Sequence, residues 1–365
     1  MKVTYCMAIP CLLKPSGNLL LRHSMRRSSV KNSLSSSSLL KSPSRLYSLS
    51  CDAFTELEHR NWQRGVDAYA AGFGPLTSQA VPTLLEKAGF PTKEGEARTD
   101  GASCSLVDVA CGPGQVLSAA ISNSKSFPLE KNTCSYTALD FSSNFLQLAE
   151  TNLQSEHPGT PITFVEGDAQ YITATLGDNE TFTSVTSNFG ILHLSDPDSF
   201  LKESFRVLKP GGRLAFSAWS APPKTEAFDL LLGAVKDAGN PNVVLPEGPP
   251  FFRFSDPVEI QRSLEEVGFV DVDVTVVESM EWTNVSTSEE LYEIMLEGTA
   301  RTRELLRGQT KEETMAVREE LKRRFEERVL AVAGEDADSD DGAATTTKRR
   351  PLRMPAVVSS GRKPL

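Results

Sequence analysis

The chain has 365 residues, 39% of them hydrophobic, with 38 Lys and Arg against 48 Asp and Glu, 4 His and 6 Cys. That length can bury a sizeable core, and no apolar run approaches the ~20 residues of a membrane span, which excludes an integral membrane protein. The cysteines (Cys6, Cys11, Cys51, Cys104, Cys111, Cys134) show no CxxC or other metal-ligand spacing, so neither a disulfide scaffold nor a metal site is supported.

Charge is unevenly placed. Residues 1–51 carry eight Lys or Arg, thirteen Ser and no Asp or Glu, leaving 30 basic against 48 acidic residues beyond them. A basic, Ser-rich, acid-free leader has the composition of an organelle transit peptide. Arg45-Leu46-Tyr47-Ser48 resembles a mitochondrial processing site cut after Tyr47, with plastid import the alternative. The acidic body argues against nucleic acid as a partner, since nothing in it would neutralise phosphates.

Past the leader, Ala53–Ala71 has helical spacing through Phe54, Leu57, Trp62, Val66 and Tyr69, and Gly72-Phe73-Gly74-Pro75-Leu76 breaks it. A second helix runs from Ser78 to Ala88 and stops at Gly89, followed by a polar linker, Pro91–Ser103. Leu106–Ala110 reads as a buried strand. Strands Tyr136–Leu139, Ile162–Val165, Ser184–Ser187 and Leu214–Ala218 then alternate with helices Ser142–Leu153, Pro197–Leu208 and Thr225–Ala238 and a helical turn near Ala169. Such alternation implies an α/β fold, a parallel sheet with helices on both faces. Pro241–Phe254 reads as loop, Pro257–Val267 as a helix closed by Gly268, Val270–Val277 as a strand, and Ser288–Leu306 and Thr310–Ala333 as helices. The acidic run Glu335–Asp341, with Gly342–Thr347, is low-complexity and reads as a disordered insertion. Met354–Ser359 is expected to return as a last strand, antiparallel beside Val270–Val277.

The chemistry sits at strand ends. Val107-Asp108-Val109-Ala110-Cys111-Gly112-Pro113-Gly114 lies where a strand turns into a helix. Glycines there let the backbone approach a ligand, and the helix N-terminus favours a carboxylate or phosphate. Asp140 ends the second strand, where a carboxylate can accept both hydroxyls of a ribose. Asp168, in Gly167-Asp168-Ala169, ends the third, where it could accept from an adenine amino group. Ser187-Asn188-Phe189-Gly190 ends the fourth, beside the ligand's amino acid or reacting group. Four such signals at successive strand ends describe a ligand lying across a topological switch point.

In these motifs the chain resembles the class I S-adenosylmethionine-dependent methyltransferases. VDVACGPG is similar to their first motif, with Ala110 where a glycine is most often seen, and LDFSSNFLQLAE to the segment after it. VEGDAQ, VTSNFGILHLSDP and FRVLKPGGRLAFSAW resemble the adenine, fourth-strand and helix–turn–strand motifs. The resemblance covers roughly Trp62–Trp219 and is closest to the small-molecule branch that includes quinone-biosynthesis methyltransferases. It implies a three-layer Rossmann-like fold, with a mostly parallel seven-stranded sheet and an antiparallel last strand. It also implies a division of the chain into a helical cap (53–100), a cofactor-binding core (104–219), substrate-side elements (220–333), the acidic loop (334–350) and the last strand (353–361).

The cofactor implied is S-adenosyl-L-methionine. Gly112 and Gly114 would let the backbone approach its methionyl part, with Ala110 in the same loop, and Asp108 would hold that loop and bind the ammonium. Asp140 would take the ribose hydroxyls, Phe141 flank the adenine, Asp168 and Ala169 read its edge, and Asn188 face the ammonium. His193 is the only histidine near a strand end on that side and is the candidate general base, or a structural residue. Tyr69, Phe73 and Trp219 are candidates to line the substrate pocket, or core residues, and Phe251, Phe252 and Phe254 to wall a lipophilic or aromatic small-molecule acceptor. Two other readings stay open. One is an NAD(P)-dependent oxidoreductase, against which stands Leu117 at the third glycine position of a dinucleotide fingerprint. The other is a non-catalytic assembly or binding factor that keeps the fold.

Overall fold

The computed structural model describes residues 53–90, 104–126, 134–176, 179–336 and 350–365. The expected transit segment, the linker 91–103 and residues 337–349 of the acidic insertion lie outside them. The described residues belong to one compact unit, Leu49–Leu365.

The described residues begin with helices α1 (Ala53–Arg64), α2 (Val66–Gly72), α3 (Gly74–Thr77) and α4 (Val81–Lys87). The single helix expected over 53–71 is therefore divided at Gly65, and the expected break at residues 72–76 is largely helical. Gly65 lies where a Cβ would come within 3.0 Å of the Glu297 carbonyl, so the close approach of a neighbouring helix sets the division. The alternating region follows as β1 (Ser105–Val109), α5 (Gln115–Ser126), β2 (Ser135–Asp140), α6 (Ser143–Glu156), β3 (Ile162–Glu166), α7 (Ile172–Leu176), β4 (Phe182–Ser187), α8 (Pro197–Val207) and β5 (Leu208–Trp219). Leu208 opens β5 instead of closing the helix before it. Phe182 pairs with Leu208, the register then shifts, and Ser184 pairs with Arg213, so the Gly211-Gly212 turn is an irregularity inside the strand.

Beyond β5 come α9 (Glu226–Ala238), α10 (Pro257–Val267), β6 (Val270–Val277), β7 (Glu281–Trp282), α11 (Ser288–Glu297), α12 (Arg301–Arg307), α13 (Lys311–Asp336), β8 (Leu352–Arg353) and β9 (Ala356–Arg362). The helix expected over 288–306 is two helices, parted at Gly298, where a Cβ would meet the Ile294 carbonyl at 2.8 Å. Gly268 ends α10 with φ 108°, a left-handed cap that glycine adopts without strain.

Seven strands form one sheet in the order β3-β2-β1-β4-β5-β9-β6. Strands β1 to β5 pair in parallel, and β9 lies antiparallel between β5 and β6. The last strand thus pairs with Val270–Val277 as expected, and with β5 as well. Val357, Val358, Ser359 and Ser360 are all buried, as a strand covered on both faces requires. The strand order reverses between β1 and β4, the switch point at whose carboxyl ends an open α/β sheet forms its crevice.

Candidate active site

The crevice begins with a strained turn. Ala110 (φ 54°), Gly112 (φ 52°) and Gly114 (φ 89°) all adopt left-handed backbone after β1. At Ala110 this costs about 1–2 kcal/mol, and it is the position where the resemblance puts a glycine. Gly190 answers the Ala110 methyl, because a Cβ on it would lie 2.5 Å from the Ala110 Cβ. A Cβ at Gly112 would meet nothing within 4 Å, so this backbone faces open space.

Two carboxylates flank the turn. Asp108, on β1 and 1% exposed, pairs in register with Thr186 and accepts from the Thr186 hydroxyl through Oδ1 at 2.8 Å. Its Oδ2 is buried without a hydrogen-bond partner. Burial pushes the Asp108 carboxyl up to about 8; the Thr186 hydrogen bond opposes this and the nearby Asp140 charge adds to it. Asp140, at the end of β2, accepts from the Gly112 amide through Oδ2 and from the Ser142 amide through Oδ1, both at 2.9 Å. It thereby ties the first glycine loop to the start of α6, while each oxygen keeps further acceptor capacity. Burial raises it to about 6 against the pull of those amides.

The remaining cofactor candidates line the same edge. Asp168 caps the turn at Ala169–Tyr171, with Oδ1 accepting from the Gln170 amide at 2.8 Å and both oxygens meeting the Gln170 side chain at 3.1 Å. The buried Gln170, not singled out from the sequence, accepts in turn from Ser195 and from the Asp196 amide. Ala169 is buried and Phe141 half-buried, its ring edge-on to His59 at 5.3 Å. Asn188 donates to the Thr77 carbonyl at 3.1 Å and accepts from the Ser217 hydroxyl at 2.7 Å, joining the cap to β5. Tyr69 stacks on Phe73, and burial pushes its hydroxyl up to about 12, with Asp140 and Asp108 close enough to add to the shift.

Phe73 and Trp219, each 3% exposed, pack in the core, Phe73 against Trp282 and Trp219 stacked on Phe189 at 4.1 Å. Phe254 is also core, against Phe216. Phe251 and Phe252 are half-buried, edge-on to Phe228, and Phe251 lies 5.9 Å from the His193 ring.

His193 follows β4 on a short helical turn, with a fifth of its side chain exposed. Its Nδ1 lies 3.0 Å from Oε2 of Glu58, a fully buried carboxylate on α1 that the sequence reading passed over. A signal was present: Glu58 lies on the stripe of α1 formed by Phe54, Leu57, Asn61 and Trp62, where an acid has to find partners. Trp62 donates to the same oxygen at 2.9 Å, and Arg301 on α12 donates to Oε1 at 3.0 Å. Among the described residues no group of three or more His, Cys, Asp and Glu could hold a metal ion.

Residues 107–216 match a family described as a methyltransferase domain. A demethylmenaquinone methyltransferase of Chlamydia trachomatis serovar L2 is 33% identical over 126 residues, which are 34% of this chain and 49% of that protein. A ubiquinone/menaquinone biosynthesis C-methyltransferase of Nitrobacter hamburgensis is 34% identical over 128 residues, 34% of this chain and 47% of that protein. The chain spans about half the length of the curated relatives it matches. Among solved structures, the phosphoethanolamine N-methyltransferase 2 of Haemonchus contortus in complex with S-adenosyl-L-methionine has a TM-score of 0.45 at 18% identity, covering 86% of this chain and 60% of that one.

Proposed function

We propose, from the match of residues 107–216 to a methyltransferase domain, that the chain is a class I S-adenosylmethionine-dependent methyltransferase that transfers a methyl group to a small organic acceptor. The observation that carries the reading is the buried, unpartnered Oδ2 of Asp108 beside Asp140, two acids whose burial has no matching cation among the described residues. A ligand bearing an ammonium and a sulfonium supplies that cation, and the open backbone at Gly112 leaves room for it. When bound, S-adenosylmethionine brings an electrophilic methyl carbon whose transfer leaves a neutral thioether.

The chain's part is then to bind, orient and exclude water. Asp108 takes the ammonium, Asp140 the ribose hydroxyls, and Asp168 with Gln170 the adenine edge. Positioning a nucleophile in line at about 3–3.5 Å is worth up to roughly 7–11 kcal/mol, so little covalent machinery is required. Where the acceptor has to lose a proton, His193 Nε2 takes it. The half-buried Phe251 and Phe252 support a lipophilic or aromatic acceptor. Because the curated relatives are named for demethylmenaquinone or for ubiquinone/menaquinone biosynthesis, demethylmenaquinone and related quinone precursors head the acceptor screen.

Calorimetric titration with S-adenosylmethionine, its demethylated product and NAD(H), beside Asp140→Ala, tests the cofactor. Binding of the first two, lost in the variant, supports the reading. Binding of NAD(H) alone would turn it into a dehydrogenase. Transfer of labelled methyl then separates an enzyme from a binding factor that only keeps the pocket. The acid-free residues 1–47 support delivery to the mitochondrion, which imaging of a C-terminal fluorescent fusion checks, with plastid import the competing outcome.

A further inference from the structure

Glu58 is completely buried, and a buried carboxylate persists only where several donors meet it. It has three, from three segments: Trp62 Nε1 on its own helix, His193 Nδ1 after β4, 135 residues away, and Arg301 Nε on α12, 243 residues away. Arg301 does more than balance the charge. Its other nitrogens donate to the Leu192 carbonyl, immediately before His193, at 2.6 Å and to the Pro249 carbonyl at 2.9 Å. Its guanidinium also lies over the Phe54 and Phe251 rings. The cap helix, the turn carrying His193 and the loop carrying Phe251 are therefore fastened at one point. Trp62 adds an edge-on contact to the imidazole, with ring centroids 4.6 Å apart, which restricts its rotation.

We propose that Glu58 is a positioning residue that holds His193 in the tautomer with the proton on Nδ1, so that Nε2 is presented as a bare acceptor to the methyl acceptor's nucleophile. This rests on the reading of His193 as the general base. An ionised carboxylate only accepts, so a hydrogen bond from Nδ1 at 3.0 Å assigns that nitrogen as the donor. Burial would neutralise Glu58, but His193 and Arg301 outweigh it and hold the carboxyl below its ordinary value. A structural ion pair between α1 and α12 would need only Arg301 on Glu58. Instead the second carboxylate oxygen is given to a partly exposed imidazole, and no described residue partners the Nε2 of that ring. When the nucleophile's proton moves to Nε2, one O–H or N–H bond breaks, one N–H bond forms, and the imidazolium faces a carboxylate already in place.

The test is nitrogen NMR of the full chain labelled at histidine, bound to S-adenosylhomocysteine, with the His193 signals assigned by loss in His193→Gln. The expected neutral ring has a protonated Nδ1 and a bare Nε2, unchanged in Arg301→Leu. Glu58→Leu combined with Arg301→Leu removes both charges, so no unpaired buried charge is left to unfold the cap, and the Nδ1–H tautomer is expected to be lost. In any acceptor assay that the labelled-methyl screen yields, the double variant is expected to lower kcat at least tenfold relative to Arg301→Leu, with KM for S-adenosylmethionine within threefold. A wild-type ring protonated on Nε2 alone, a double variant that keeps the Nδ1–H tautomer, or an unchanged kcat would each overturn the assignment. Should the double variant not fold, the wild-type and Arg301→Leu spectra decide it. Failure of S-adenosylhomocysteine to bind would instead sink the methyltransferase reading, and the tautomer of the free protein would still answer for Glu58.

Discussion

Asp108 and Asp140 on the cofactor side, and Glu58 on the cap side, are equally withdrawn from water, yet their carboxyls move in opposite directions. The two aspartates rise to about 8 and about 6, while Glu58 falls below its ordinary value. Burial pushes all three up. Glu58 meets a guanidinium and an imidazole that reverse the push, whereas among the described residues the aspartates meet amides, one hydroxyl and each other. The counter-charge of Glu58 thus comes from the chain itself, whereas among the described residues no cationic side chain is hydrogen-bonded to Asp108 or Asp140.

The sharpest way to break this contrast is Glu58→Leu alone, which strands Arg301 partly buried. Urea unfolding should show a loss of about 3–5 kcal/mol, with S-adenosylhomocysteine affinity of the folded protein little changed. The lowered folded-state value means that Glu58 contributes fully above its unfolded value of 4.5, a contribution lost as pH falls through the folded value. Asp140→Ala acts on the other side. It should weaken S-adenosylhomocysteine binding on the order of 100-fold by calorimetry, since it removes the ribose acceptor and frees the Gly112 loop.

Asp108 sharpens the comparison through protons. Between about pH 4 and 8 the folded, ligand-free protein holds a proton on Asp108 that the unfolded chain has released, so this group's contribution to stability falls as pH rises through that window. Asp108→Asn should flatten that decline in melting temperature. Binding of the cationic ligand at pH 7 should release a fraction of a proton, seen as a heat that depends on the buffer's ionisation enthalpy, and the same variant should abolish it. The smallest effect is expected of Tyr69→Phe. The hydroxyl stays protonated at neutral pH and lies 3.5 Å from the Thr77 hydroxyl, so S-adenosylhomocysteine affinity should change by less than about threefold.

Much of this molecule is legible residue by residue. Leu106–Ala110 reads as a buried strand because it is a short apolar run ending in glycines, Ser184–Ser187 as a strand in the alternating pattern, and Gly112, Gly114, Asp140 and Asp168 stand out because glycines and acids recur at successive strand ends. What stayed illegible turns on packing. Gly65 and Gly298 divide helices that periodicity alone joins, Gly65 where the Glu297 carbonyl of another helix approaches it and Gly298 where a Cβ would meet the Ile294 carbonyl of the helix it ends. Phe73 and Trp219 read either as pocket-lining or as core residues, and the choice depends on neighbours far along the chain, here Trp282 and Phe189, against which they pack.

Local pattern therefore determined the alternating α/β layout, the antiparallel return of the last strand and the carboxylates at the cofactor edge, since side-chain periodicity and turn chemistry act over a few residues. Only the tertiary structure decided that β9 inserts between β5 and β6, that Asp108 keeps an unpartnered oxygen, and that Glu58 joins His193 to Arg301. Those outcomes depend on which charges and donors meet across 135 and 243 residues of chain, and whether a buried acid is satisfied is settled by that meeting and by nothing nearer in sequence.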